Sequence, residues 1–445
     1  MGERRPVRQG HGVQDAHQHA HGPEYVAKHG ESGQTLLIVN HIPIDMCSSH
    51  YTIHDGTQAS ESSDVPSSIG SHSRYRERHV RSDYRNQSRS PRTTMTLYDR
   101  VADLTLTIET TDRTSRRREM AGDFTRVTST FVLLAGDEFG AGEDVTYDTV
   151  DHEVLPDPPV FDLAGEYTLD EFSQTLEDID LFPTKPPERE LSRNNRRWAM
   201  ESAALDLALK QNETTLASLL GRERSPVRFV ASTRLPDGNP TRVEETLAVN
   251  PTCEFKLGPT AAWSEETFAT LAATDAVRVL DLNGQAEGFV GRQPPDSDRY
   301  RRVFETFPDA LVEDPAVSDD VQELLATNAD RLSWDAPIQG VADLHDRPFE
   351  PNWCTIKPSR FGTIRSLFET IEYCNDQGIS MYGGGQFELC VGRGHIQLLA
   401  SLFYPDGPND VAPRAYNEPE VRAELIESPL EPPVAPDGLE WKTLD

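Results

Sequence analysis

The sequence predicts an α/β protein: a modified (β/α)7β barrel of the TIM type, preceded by an α+β capping domain. Three observations point there. First, short apolar runs at 253–257, 277–282, 310–312, 331–334 and 353–356 each carry a charged residue at or just past their ends: Lys256, Asp281, Glu313, Asp335 and Lys357. Second, the steps between these five residues are 25, 32, 22 and 22, the length of one strand–loop–helix–loop unit. Third, the text upstream, from Met95, changes to longer alternating strands and two helices. In a parallel barrel every strand ends on the same face, so residues far apart in sequence converge there. Three acids and two lysines at one mouth make a metal site flanked by bases.

The elements follow in order. Residues 1–94 are rich in Ser, His, Arg, Gln and Gly, with little periodicity, and read as a disordered or mis-annotated extension upstream of Met95. The cap is expected over 95–225. Its strands are placed at 104–110, 125–134 and 144–147, with Gly140-Ala141-Gly142-Glu143 as a turn and loops at 111–124 and 137–150. Thr168-Leu169-Asp170-Glu171 opens a helix, and 196–211 is a second, with Ala199, Ala203 and Leu207 at helical spacing. The barrel is expected over 226–405. Its first strand is 227–232, the five runs supply the next five, and the last is 379–382. Helices fall at 265–273, 298–306, 319–328, 364–377 and 390–402. Residues 406–445 form a C-terminal segment returning to the cap, with a Pro-rich tail.

Charge narrows the function. Residues 1–94 hold 11 of the 43 basic and 10 of the 74 acidic residues, leaving 32 basic against 64 acidic residues over 95–445. An acid excess spread so evenly suits a halophilic, cytoplasmic protein and disfavours nucleic-acid binding, which needs a basic face. No run of about 20 apolar residues suggests a membrane span. The histidines of the extension, His17, His19 and His21, are candidates for adventitious metal binding only.

Only six of the 43 basic residues are lysine. Arginine keeps its proton, whereas lysine loses one when desolvated or placed beside another cation. A lysine-poor chain that sets Lys256 and Lys357 at two barrel-strand ends therefore uses them as titratable amines.

These residues resemble the enolase superfamily, in particular its muconate-cycloisomerase-like branch, over roughly 95–413. Phe255-Lys256-Leu257 is similar to the family's second-strand Lys-x-Lys motif. Leu280-Asp281-Leu282-Asn283 is similar to its Asp-x-Asn, Val312-Glu313-Asp314-Pro315 to its Glu-x-Pro, Asp335 to its fifth-strand acid, and Ile356-Lys357-Pro358 to its sixth-strand lysine segment. The resemblance implies that Asp281, Glu313 and Asp335 ligate one Mg²⁺, with Mn²⁺ as a substitute, and that Lys256 and Lys357 are general acid and base on opposite faces of a small carboxylate substrate. It further implies Asn283 behind the metal ligands, Glu388 orienting the substrate or a lysine, and a homo-oligomer. Removing a proton next to a carboxylate puts a second negative charge on that group, and a divalent cation with a lysine base is the solution known in that superfamily. The metal and the opposed ammonium should lower the base amine's pKa.

The reaction is left open among cycloisomerisation, epimerisation and a dehydration of the o-succinylbenzoate-synthase kind. Two departures stand out. Glu254 occupies the first lysine position of Lys-x-Lys, where it either pairs with Lys256 or faces the helix layer. The Asp335-Ala336-Pro337 segment lacks the polar residues usual after the fifth-strand acid. They motivate an alternative, a catalytically degenerate barrel acting as a binding or scaffold protein.

Overall fold

In the computed structural model, which describes residues 95–445 apart from 122–123, 157–160, 286–291, 435–437, 440 and 442–445, the chain opens with the strands β1 (Thr105–Ile108), β2 (Thr110–Met120), β3 (Phe124–Ala135) and β4 (Glu138–Asp144). The expectations for 1–94 lie outside the described residues. β2, β3 and β4 form an antiparallel sheet, while β1 pairs with β5 (Gly165–Thr168). The helices here are α1 (Thr149–Glu153), α2 (Leu169–Glu177), α3 (Leu191–Gln211) and α4 (Leu216–Leu220). Thr168 and Glu171 make the reciprocal capping box that starts α2.

Two local expectations are corrected. Residues 111–120 are strand, not loop: β2 pairs with β3 from Thr110↔Leu134 to Met120↔Phe124 and exposes Arg117, Arg118 and Glu119. The expected turn at Gly140–Glu143 lies inside β4, and of the expected strand 144–147 only Asp144 belongs to it. The glycines are there because β4 lies directly on α3. A Cβ at Gly140 or Gly142 would collide with the carbonyl of Ala203 or Ala199. Ala199, Ala203 and Leu207, the helical stripe expected from the sequence, are fully buried. Gly142→Ala is thus expected to destabilise the protein by roughly 2–3 kcal/mol, seen as a lower urea midpoint.

Seven parallel strands follow: β6 (Ala231–Thr233), β7 (Phe255–Leu257), β8 (Val277–Asp281), β9 (Leu311–Glu313), β10 (Leu332–Trp334), β11 (Trp353–Ile356) and β12 (Ser380–Gly383). Each hydrogen-bonds to the next in sequence order. The two edges are joined through Asn409 and Asp410. Val230 donates to the Asn409 carbonyl, Asp410 donates to Gly383, and Gly385 donates to Asp410. This short bridging segment closes the ring. α5 (Thr241–Val249), α6 (Glu265–Ala273), α7 (Ser297–Thr306), α8 (Asp319–Thr327), α9 (Val341–His345), α10 (Pro358–Phe361) and α11 (Ile364–Gln377) connect the strands, and α12 (Val391–Phe403) follows the last of them. α5 has no counterpart in the sequence reading, because only Val243 and Thr246 of its nine residues are buried and its apolar stripe is faint. Among the described residues no helix is long and apolar enough to cross a membrane.

Cap and barrel are tied by buried charges. Glu143 of β4 accepts the backbone N–H groups of Leu389, Cys390 and Gly392, at 2.6–3.1 Å, at the start of α12. Arg126 of β3 donates to the carbonyls of Val145, Thr146 and Gln386. Within the cap itself, Arg196 of α3 pairs with Asp144 at 2.8 Å, both fully buried.

Candidate active site

The parallel strands end at a cavity of about 950 Å³ whose wall includes Lys256, Asp281, Asp314, Asp335, Lys357 and Asp410. Lys256 lies on β7 and Lys357 directly follows β11, four strands further round the ring, so the two amines approach from opposite walls.

Lys256 donates a short hydrogen bond to Glu313 and lies 3.8 Å from Asp281 and 3.9 Å from Asp410. Burial opposes its ammonium, but Glu313, Asp281, Asp335 and Asp410 outweigh burial and hold it well above the usual lysine range. Lys357 donates to Asp335 at 2.7 Å, and Arg360 donates to the other Asp335 oxygen at 2.8 Å. Although burial works the other way, Arg360 and Lys357 keep Asp335 below the ordinary carboxylate range. The Lys357 stem lies against Gly384, where a Cβ would stand 2.6 Å from its Cε. That close approach accounts for one glycine of the Gly383-Gly384-Gly385 run.

Asp281 ends β8, and its Oδ1 accepts the Asn283 N–H at 2.8 Å. Burial and the neighbouring Glu313 push its carboxyl up to about 7. Asn283 sits beside it on the cavity wall with φ of 50°. Glu313 is fully buried below that wall, where Lys256, Tyr382 and Thr355 all donate to it. Glu388 is also behind the wall, accepting the Gln386 N–H at 2.6 Å and pairing with Arg393 at 3.1 Å.

One carboxylate oxygen from each of Asp281, Glu313 and Asp314 lies within 4.8 Å of the others. Asp335 is adjacent but is not one of that group. Asp314 reaches it through a left-handed backbone, φ 49°. Its two oxygens accept the N–H groups of Asp335 and Ala336, each at 2.8 Å. Burial, then Asp335 and Glu313, raise its carboxyl well above the ordinary range. Crowded carboxylate oxygens are the donor set a hard cation such as Mg²⁺ or Mn²⁺ takes, so the residues present fit that ion.

Asp314, Thr355, Arg360, Tyr382, Arg393 and Asp410 were not anticipated from the sequence. Asp410 lies outside any apolar run, and only closure of the ring brings it to Lys256. Glu254 engages Arg228 at 2.6 and 2.8 Å and Arg278 at 2.7 Å, whereas the ion-pair partners of Lys256 are Glu313, Asp281 and Asp410. The strand register shifts between Phe255 and Lys256. Restoring a family-like lysine with Glu254→Lys would put three cations together. The expected result is a loss of about 2 kcal/mol or more in urea unfolding, with no gain at the site.

Comparison with known proteins bears on this geometry. Residues 99–219 match the N-terminal domain and residues 223–418 the C-terminal domain of a domain of unknown function, DUF8230. No curated protein matches in sequence. Among solved structures, a dipeptide epimerase from Methylococcus capsulatus complexed with Mg ion is similar at 18% identity and TM-score 0.53, covering 67% of this chain and 88% of that one. An enolase-superfamily member of unknown function from Enterococcus faecalis V583 is similar at 18% identity and TM-score 0.51, covering 71% and 88%. A muconate cycloisomerase variant is similar at 18% identity and TM-score 0.50, covering 67% and 85%. The chain has the enolase-superfamily fold. Within that fold the cap reaches the cavity through Tyr147 and Asp148, and the segment leading into α3 adds Glu188 and Arg189 to the same wall.

Proposed function

We propose that this protein is a metal-dependent isomerase or lyase that moves a proton at the carbon next to a substrate carboxylate. The observation that carries the reading is the convergence of Lys256 and Lys357, from opposite walls, on one cavity whose floor is a carboxylate cluster. Asp281, Glu313 and Asp335 would hold Mg²⁺. Asp335 is the third ligand in this reading because movable side chains, Lys357 and Arg360, engage its oxygens, while those of Asp314 are fixed on backbone N–H groups. Asp314 then shapes the loop that presents Asp335.

Held by these residues, a divalent cation would supply charge compensation on the substrate carboxylate as the neighbouring proton leaves. The rest is done by the chain. One lysine takes the α-proton, and the other delivers a proton to the opposite face or to a departing group. Asn283 orients Asp281, and Glu388 orients Arg393 and the Gln386 backbone at the wall. The mouth admits a small molecule. The acid excess of 95–445 favours a cytoplasm rich in salt, so the test belongs in high salt.

That test is proton exchange. Carboxylates bearing an α-hydrogen are incubated with the Mg²⁺-loaded protein in D₂O and followed by NMR. Loss of the α-proton signal from at least one acid is expected. No exchange from any of them, with metal binding unchanged in Lys256→Ala and Lys357→Ala, would mean a degenerate barrel that binds without catalysing.

A further inference from the structure

Lys256 faces three acids: Glu313, to which it donates, Asp281 at 3.8 Å and Asp410 at 3.9 Å. Two of them, Asp281 and Glu313, belong to the ligand set proposed above. Once those two hold a cation, their oxygens are committed to it, and Asp410 is the acid left to the amine. Lys357 has no such reserve. Among the described residues its acid partner within 4 Å is Asp335, and Arg360 shares that carboxylate.

The ring itself fixes the place of Asp410. Its N–H donates to the Gly383 carbonyl at 2.8 Å, and its own carbonyl accepts the Gly385 N–H at 3.1 Å. The side chain of the preceding Asn409 accepts the Gly383 N–H at 2.6 Å and donates to the carbonyls of Arg228 and Tyr404. Closure thus uses the main chain and Asn409. It leaves the Asp410 carboxylate to the cavity, on the wall beside Lys256.

We infer that Asp410 is the positioning residue for Lys256: it receives the ammonium that Glu313 and Asp281 release on taking up a cation, and holds it at the cavity wall. The inference rests on the reading above, in which those two acids are metal ligands. An ammonium buried beside a divalent ion, with no anion of its own, is opposed both by desolvation and by repulsion. Asp410 relieves that opposition, so it favours metal binding through the lysine. It stays outside the proton transfer.

The test is titration calorimetry of the full-length protein with Mg²⁺ alone. Asp410→Asn keeps the shape and the main-chain bonds, and should weaken Mg²⁺ binding by roughly 10–100-fold, the usual cost of losing a partner behind a metal site. Asp410→Glu restores most of the affinity. In a Lys256→Met background the same Asp410→Asn change should cost far less, because no ammonium is left to receive. A second measurement leaves Lys256 in place. The chain has six lysines, so ¹⁵N-lysine labelling gives a sparse spectrum. Asp410→Asn should move the Lys256 side-chain signal in the Mg²⁺-loaded protein and leave it nearly unmoved in the metal-free one. Mg²⁺ affinity indifferent to Asp410, or an equal loss with and without Lys256, overturns the inference and leaves the proposed chemistry standing. No Mg²⁺ binding by the parent overturns the metal site, and this inference with it.

Discussion

Lys357→Ala is expected to abolish measurable α-proton exchange, a fall of roughly 10²–10⁴-fold, while the protein stays folded. Asp335 keeps Arg360 as a partner at 2.8 Å after the lysine is removed, so no carboxylate is left without a cation. Lys256→Ala should lose exchange to the same degree but also lose stability. Glu313 is fully buried, and without Lys256 its remaining donors are the neutral hydroxyls of Tyr382 and Thr355. Breaking a buried pair on one side costs about 3–5 kcal/mol. NMR exchange in D₂O and urea melts on the same samples separate the two effects. For an epimerising substrate the amines serve opposite faces, so each variant should still exchange the α-proton of one stereoisomer. Full activity in both variants would remove the lysines from the mechanism.

Mg²⁺ is expected to raise the melting temperature, and Asp281→Asn, Glu313→Gln and Asp335→Asn should each abolish that rise. A ligand that binds only the folded state stabilises it by about 2.7 kcal/mol at a hundred times its Kd, a shift large enough to read by calorimetry. Asp314→Asn should keep the Mg²⁺ response while lowering the metal-free melting point, since Asp314 anchors the backbone of Asp335 and Ala336. The reverse pattern, with the response lost in Asp314→Asn and kept in Asp335→Asn, would make the spatial trio Asp281, Glu313 and Asp314 the ligand set.

The barrel strands could be read in the sequence because parallel strands buried on both faces show as continuous apolar runs, and a single polar residue at the end then stands out. Strands β7 to β12 fall within or beside their expected positions for that reason. β2 could not be found this way. Arg116, Arg117, Arg118 and Glu119 hide it, and its strand character comes from pairing with β3. β4 was hidden by Gly140 and Gly142, glycines demanded by a neighbouring helix and not by a turn. At the site, Asp281, Glu313, Asp335, Lys256 and Lys357 stood out by spacing. Asp314 did not, since its neighbour Glu313 seemed to fill the position and the φ that brings it round leaves no mark in composition.

Glu143 gives the division into cap and barrel a different meaning. Its carboxylate belongs to the first half of the sequence, yet it caps the start of α12 in the second, where it accepts main-chain amides that have no partner within the helix. Cut the chain between them and one fragment inherits a sequestered anion, the other a bare helix start. The boundary drawn along the sequence is therefore not a seam in the energetics, and the two parts stand or unravel jointly.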